Sequence, residues 1–93
     1  PDSLRAERGL AIAAAAEAYI SDVRRLYEDP ESAVTDVLSA VRSRYKRIEA
    51  LDGDVAATES EAVVRALQDL GDYLREGDET ALALARGRFD EDS

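Results

Sequence analysis

The chain has 93 residues, 21 acidic against 12 basic, for a net charge of −9, with no Cys, His, Met or Trp. Disulfide frameworks, thiolate chemistry, imidazole bases and imidazole metal ligands are therefore excluded. The length allows one small domain, expected over residues 1–93.

Helical period runs through the whole chain. A first helix reads from about residue 4 to 28, with Asp2 or Ser3 as its cap. At 100° per residue, Ile12, Ala16, Tyr19, Ile20, Val23, Leu26 and Tyr27 fall in one arc, joined by Gly9 and Ala13. Ala11, Ala15 and Ala18 make a shallower apolar strip on the other side. At about 1.5 Å per residue this helix is about 37 Å long. That is too long for a small bundle to cover, so it is expected to overhang its domain or meet a partner.

Asp29-Pro30-Glu31 is a break and a restart. Pro30 suits a first helical position, Asp29 a cap, and Glu31 the positive end of the helix dipole. The second helix reads over 30–51, with a stripe of Val34, Val37, Leu38, Val41, Tyr45 and Ile48. Arg42, Arg44, Lys46 and Arg47 crowd its last turns, where cations favour the carboxyl end. Gly53 fits a left-handed stop. A third helix follows over 55–76, starting after Asp54 or at Thr58, where Thr58-Glu59-Ser60-Glu61 fits a capping box. Its stripe is Val63, Leu67, Leu70 and Leu74, flanked by Ala66 and Tyr73. Gly77 and Asp78 repeat the stop and start. A short last helix reads over 79–88 with Leu82, Ala85 and Phe89 on one face, followed by a frayed tail at 90–93. The class is all-α: a small helical bundle of three main helices plus a short C-terminal fourth, the first helix long.

Leu, Ile, Val and Phe make up 21 residues, little above the roughly one-fifth below which charged chains stay disordered. Alanine supplies 17 more, each with little to bury. A second copy or another protein is the economical remedy for so thin a core. The first helix is the expected association surface, and the chain the expected homodimer. Gly9, Ala13 and Ala16 would let a partner backbone approach. Ile12, Tyr19, Ile20, Val23 and Tyr27 would supply buried area, Tyr being a common interface anchor. Gly9 needs a reason, because glycine in a helix interior costs about 1 kcal/mol relative to alanine.

No catalytic, cofactor-binding or metal-binding residue is assigned. A di-metal bundle needs Glu-x-x-His, and there is no His. Glu17, Asp22, Glu59, Glu61, Asp69 and Asp72 read as solvated polar faces, and no phosphate-binding glycine pattern occurs. The run R-S-R-Y-K-R at 42–47 has an aromatic among cations. The field around it is negative, however: residues 52–93 alone carry twelve acidic and four basic groups. Nucleic acid is not an expected partner. The run reads as dipole complement plus ion pairs to the third and fourth helices. The longest apolar run, Leu10 to Ala16, is far short of the roughly 18 residues that span a membrane. With no signal-peptide pattern either, no membrane partner and a cytoplasmic location are expected. Eleven Arg to one Lys, with high acidity, fits a GC-rich genome and a salt-rich cytoplasm. The chain opens on Pro1, which fits a processed small protein or a domain of a longer one.

Three short likenesses accompany this reading. Leu74 to Leu82 resembles the turn of tetratricopeptide-type hairpins, but no second copy follows at the repeat spacing and the segment reads as an ordinary turn. Leu26 to Ala33, with Tyr27 and Pro30 as Tyr-x-x-Pro, resembles the hinge of BID domains of type IV secretion substrates, which are usually basic. The size and long first helix resemble all-helical chorismate mutases, intertwined dimers whose cations grip a dicarboxylate. That likeness would give Arg5, Arg8, Arg24 and Lys46 the gripping role, although the family's opening Leu-Arg-x-x-Ile-Asp pattern is replaced after Leu4-Arg5. The expected function is therefore a self-associating, non-catalytic adaptor or regulatory module. The alternative is a small enzyme or ligand-binding bundle that clusters Arg around an anionic metabolite.

Overall fold

A computed structural model describes the backbone of residues 2–90 and the side chains of 4–89. It contains α1 (Asp2–Leu26), α2 (Glu31–Glu49), α3 (Gly53–Glu76) and α4 (Glu79–Asp90), with no strand among the described residues. The expected all-α bundle is what forms. α1 already includes Ser3, which therefore does not stand at its cap; the Asp2 side chain and residues 91–93 lie outside the described residues.

The helix ends differ from the sequence expectation for local reasons. α1 stops at Leu26, two residues early; its last backbone bond runs from Tyr27 N–H to the Val23 carbonyl at 2.9 Å. Carboxylates at Glu28 and Asp29 oppose the negative end of a helix dipole, and Pro30 disfavours helical geometry in the residue before it. Pro30 itself has helical angles, and its carbonyl accepts from Val34 N–H at 2.9 Å. Asp29 makes no capping bond, so the cap expected there is not formed.

α2 ends at Glu49 rather than 51, with Ala50 as its right-handed cap; Gly53 is left-handed, φ +47°, but opens α3 instead of stopping α2. α3 begins at once, at Gly53, so Thr58 lies inside the helix and its capping box goes unused. The second stop forms as read. Gly77 has φ +69° and donates to the Tyr73 carbonyl at 2.8 Å, and the Asp78 carboxylate caps α4 by accepting from Ala81 N–H at 3.1 Å. α4 runs two residues further than expected, to Asp90.

α1 and α3 run parallel, with α2 antiparallel to both and α4 folded back along α3. The ion pair from Asp22 to Arg75 fixes the α1–α3 alignment, and that from Asp69 to Arg88 fixes α3–α4. α1 packs mainly on α3, and only lightly on α2. The molecule measures 41 × 22 × 20 Å. Its long axis matches the about 37 Å expected of α1. The 24-residue α3 runs beside it, so the expected overhang does not occur. The early start of α3 supplies the missing length.

The central cluster joins Ile12 and Ala16 of α1, Val37, Val41 and Ile48 of α2, and Ala56, Val63 and Leu67 of α3. Phe89 of α4, Tyr19 and Tyr45 pack against it half-buried. Ala81 and Ala85 seat α4. The expected stripe of α4 omitted Ala81 and gave its place to Leu82, which is half-buried.

Candidate functional site

The residues expected to form an association surface divide between the inside and the outside of the bundle. Ile12, Ala16 and Val23 are 3%, 5% and 0% exposed. They hold α1 to its own bundle; Val23 has no free area for a partner, whereas Ile12 and Ala16 also line the groove described below. Tyr19 and Ile20 are half-buried, while Ala13 and Tyr27 are exposed. Burial pushes the Tyr19 hydroxyl above the usual tyrosine range, and the nearby Tyr27 adds to this.

Gly9 has its close neighbour inside the chain. A Cβ built on it would lie 3.0 Å from Tyr45 Oη and 3.6 Å from Cζ. The missing side chain makes room for the tyrosine of α2 rather than for a foreign backbone.

Beside that contact α1 and α2 leave an open groove of about 620 Å³. Ile12, Ala13, Ala16 and Ile20 line one side, Leu38, Val41 and Tyr45 the other. Its charged lining is Glu17 on α1 and Arg42, Lys46 and Glu49 on α2. The groove follows from helix pairing: α1 is drawn onto α3, so the α1–α2 seam stays shallow.

The opposite seam, between α1 and α3, is lined by the alanine strip and closed by charge. Ala11, Ala14, Ala15 and Ala18 face Val64, Leu67, Gln68 and Gly71 across about 580 Å³. Asp22 accepts from Arg75 and, at 2.8 Å, from Arg25; Arg75 also donates to Asp72 at 2.8 Å. Partial burial would raise the Asp22 carboxyl, but these arginine hydrogen bonds outweigh it and hold the group below the usual aspartate range. Asp22 in turn strengthens the protonated Arg75. Gly71 makes the bridge possible: a Cβ there would lie 2.8 Å from Arg75 Nη1 and 3.4 Å from Asp22 Oδ2.

At one end of the bundle, Arg5 and Arg8 line a cavity of about 650 Å³ with Leu4, Leu51 and Val64. Glu7, Asp52, Asp54 and Glu61 line it too, so acids outnumber the two cations. Lys46 faces the α1–α2 groove instead, and Arg24 lines neither space. The four cations that could grip a dicarboxylate are not brought together. Other arginines are taken by ion pairs, Arg65 with Glu61 at 3.1 Å and Arg88 with Asp69. Among the described residues, no cluster of three or more acidic side chains could hold a metal ion, and no helix is long and apolar enough to cross a membrane.

The basic run of α2 splits as well. Arg44 is only 5% exposed and donates to the Arg88 carbonyl. That carbonyl belongs to the last turn of α4, where acceptors lack helical partners and cations are favoured. Arg44 thus caps another helix, while Arg42 and Lys46 line the groove. Sequence reading missed Arg44, although its spacing carried a signal. Positions 34, 37, 41, 44 and 48 keep the alternating three- and four-residue steps of a buried stripe. Ala56 and Ser60 continue the α3 stripe upstream in the same way, the Ser60 hydroxyl donating to the Ala56 carbonyl at 2.7 Å.

Set against known proteins, residues 1–89 match the model of a family of unknown function, DUF7117. The chain belongs to that family. No curated protein and no solved structure matches it, so the first two likenesses rest on their short quoted segments and the third on size and the long first helix.

Proposed function

We propose that this domain is a protein–protein association module that pairs with a second copy of itself and serves as a non-catalytic adaptor or regulatory element. The α1–α2 groove carries the reading. Its floor is aliphatic on both sides, and it lies open along a molecule with little core to spare. A 93-residue chain buries only about 60–65% of its unfolded surface, so covering this seam adds burial that the monomer lacks. Exposed apolar seams rimmed by polar residues mark interaction sites. Among the residues first expected at the interface, Gly9, Ile12, Ala13, Ala16 and Ile20 line the groove and stay with the reading, Gly9 by seating Tyr45. Leu38 and Val41 of α2 join them. A cytoplasm rich in salt is the proposed setting, supported by the net charge of −9.

The test is light scattering coupled to size exclusion at tens of micromolar. The expected mass is about twice 10.1 kDa. A mass that stays at the monomer value, with full helical circular dichroism, overturns the reading.

A further inference from the structure

The two lips of the groove carry opposite charge. On the α1 lip stand Ala13 and Glu17; on the α2 lip stand Arg42, Lys46 and Glu49. Arg42 and Lys46 outweigh Glu49, so the α2 lip is net positive against the negative α1 lip. Glu17, Arg42 and Lys46 are exposed, and none is in an ion pair among the described residues. An aliphatic trough with an anionic edge and a cationic edge is complementary to itself, provided the edges are exchanged.

Two simple two-fold arrangements could close this groove on a second copy. An axis running across the groove sets each lip against its own kind, Glu17 beside α1 and Arg42 and Lys46 beside α2. Like charges then face one another at the rim of an apolar contact, where they are costly. An axis running along the groove exchanges the lips. Building on the association reading above, we propose that the second copy seats with its two-fold axis along the α1–α2 groove, so that the lip bearing Glu17 in each copy faces the lip bearing Arg42 and Lys46 in the other. The two copies then run parallel, with the first turns of both α1 helices at the same end. A two-fold contact repeats every pair, so each lip contributes twice.

Charge exchange tests this. Glu17→Lys in one chain, and Arg42→Glu with Lys46→Glu in another, are made at exposed positions, and helicity and melting are compared with the parent. Sedimentation gives the dissociation constants. Each variant alone is expected to dimerise at least tenfold more weakly than the parent, and an equimolar mixture to recover a heterodimer near parental affinity. The milder pair Glu17→Gln and Lys46→Gln should weaken association by less than the reversals. If the parent dimerises and Glu17→Lys dimerises as tightly, the lips are not exchanged and the proposal falls, while the association reading stands. A mixture no tighter than its components likewise overturns the exchange alone. A parent that is monomeric throughout overturns both.

Discussion

At the residue scale, two glycines and one aspartate set the bundle's close contacts. Gly9 leaves 3.0 Å between a would-be Cβ and Tyr45 Oη. Alanine there gains about 1 kcal/mol of helix propensity but pushes the phenol outward by a few tenths of an ångström. Gly9→Ala should therefore leave urea unfolding nearly unchanged. In a Tyr45→Phe background, where the hydroxyl is gone, it should be stabilising by up to ~1 kcal/mol. Gly9→Leu should cost ~1–3 kcal/mol by displacing the ring. Val23, with no exposed area, answers differently. Val23→Asp buries a carboxylate without a partner and should unfold the chain by circular dichroism, so it reports on the core rather than on association. Asp22 supplies the pH dependence. Its carboxyl titrates lower in the folded chain than the ordinary 3.8 because Arg25 and Arg75 hold the charged form. The resulting stability is present above that ordinary value and is lost as pH falls to and through the folded value. Asp22→Asn should flatten the acid limb of a melting-temperature profile below about pH 4. An unchanged acid limb would mean that the bridge contributes nothing.

At the scale of elements, α4 combines a small apolar anchor with polar ties to α2 and α3. Ala81, Ala85 and part of Phe89 are its packing. Arg88 pairs with Asp69, and Arg44 caps its last turn from across the bundle. A buried guanidinium on a helix-end carbonyl gains from hydrogen bonding and from the dipole together. Arg44→Met keeps the aliphatic length and removes the cap. Amide exchange over residues 85–89 should then quicken by tenfold or more, while exchange in the middle of α1 changes little. Equal quickening everywhere would show that Arg44 supports the whole core instead. α1 and α3 are tied by small residues: alanines on α1 and Gly71 on α3 leave room for Arg75 to reach Asp22.

Across the whole molecule, charge opposes compactness. Residues 52–93 hold twelve acidic and four basic groups. Within them α3 carries six acidic and two basic residues, whereas α4 is balanced at two of each. The bonded pairs are mostly exposed, where an ion pair contributes about 0–1 kcal/mol, and acidic residues outnumber basic ones by 21 to 12. Screening should therefore stabilise the fold, and the melting temperature should rise between about 0.05 M and 1 M KCl, where the Debye length falls to about 3 Å. A midpoint that stays or drops would show the attractive pairs dominating, and would remove the support for a salt-rich setting.

The number and order of the helices, the glycine stop at Gly77, the Asp78 cap and the bulk of the apolar stripes were legible in the sequence. Each depends on neighbours within a turn: the 3.6-residue period, a left-handed glycine, a proline without an amide. Which face of α1 became core and which became groove was not legible. Val23 and Ala13 lie on the same broad apolar side, and one is fully buried while the other is exposed. That outcome depends on α1 being drawn to α3, and on α3 starting early enough to cover it. Arg44 reads locally as one more cation at the end of its own helix, yet its acceptor lies 44 residues away in sequence. Gly9 reads as a vacancy for a partner until Tyr45 fills it. Periodicity identifies the residues that must leave water; which neighbour receives each of them is decided only when the helices choose their pairs.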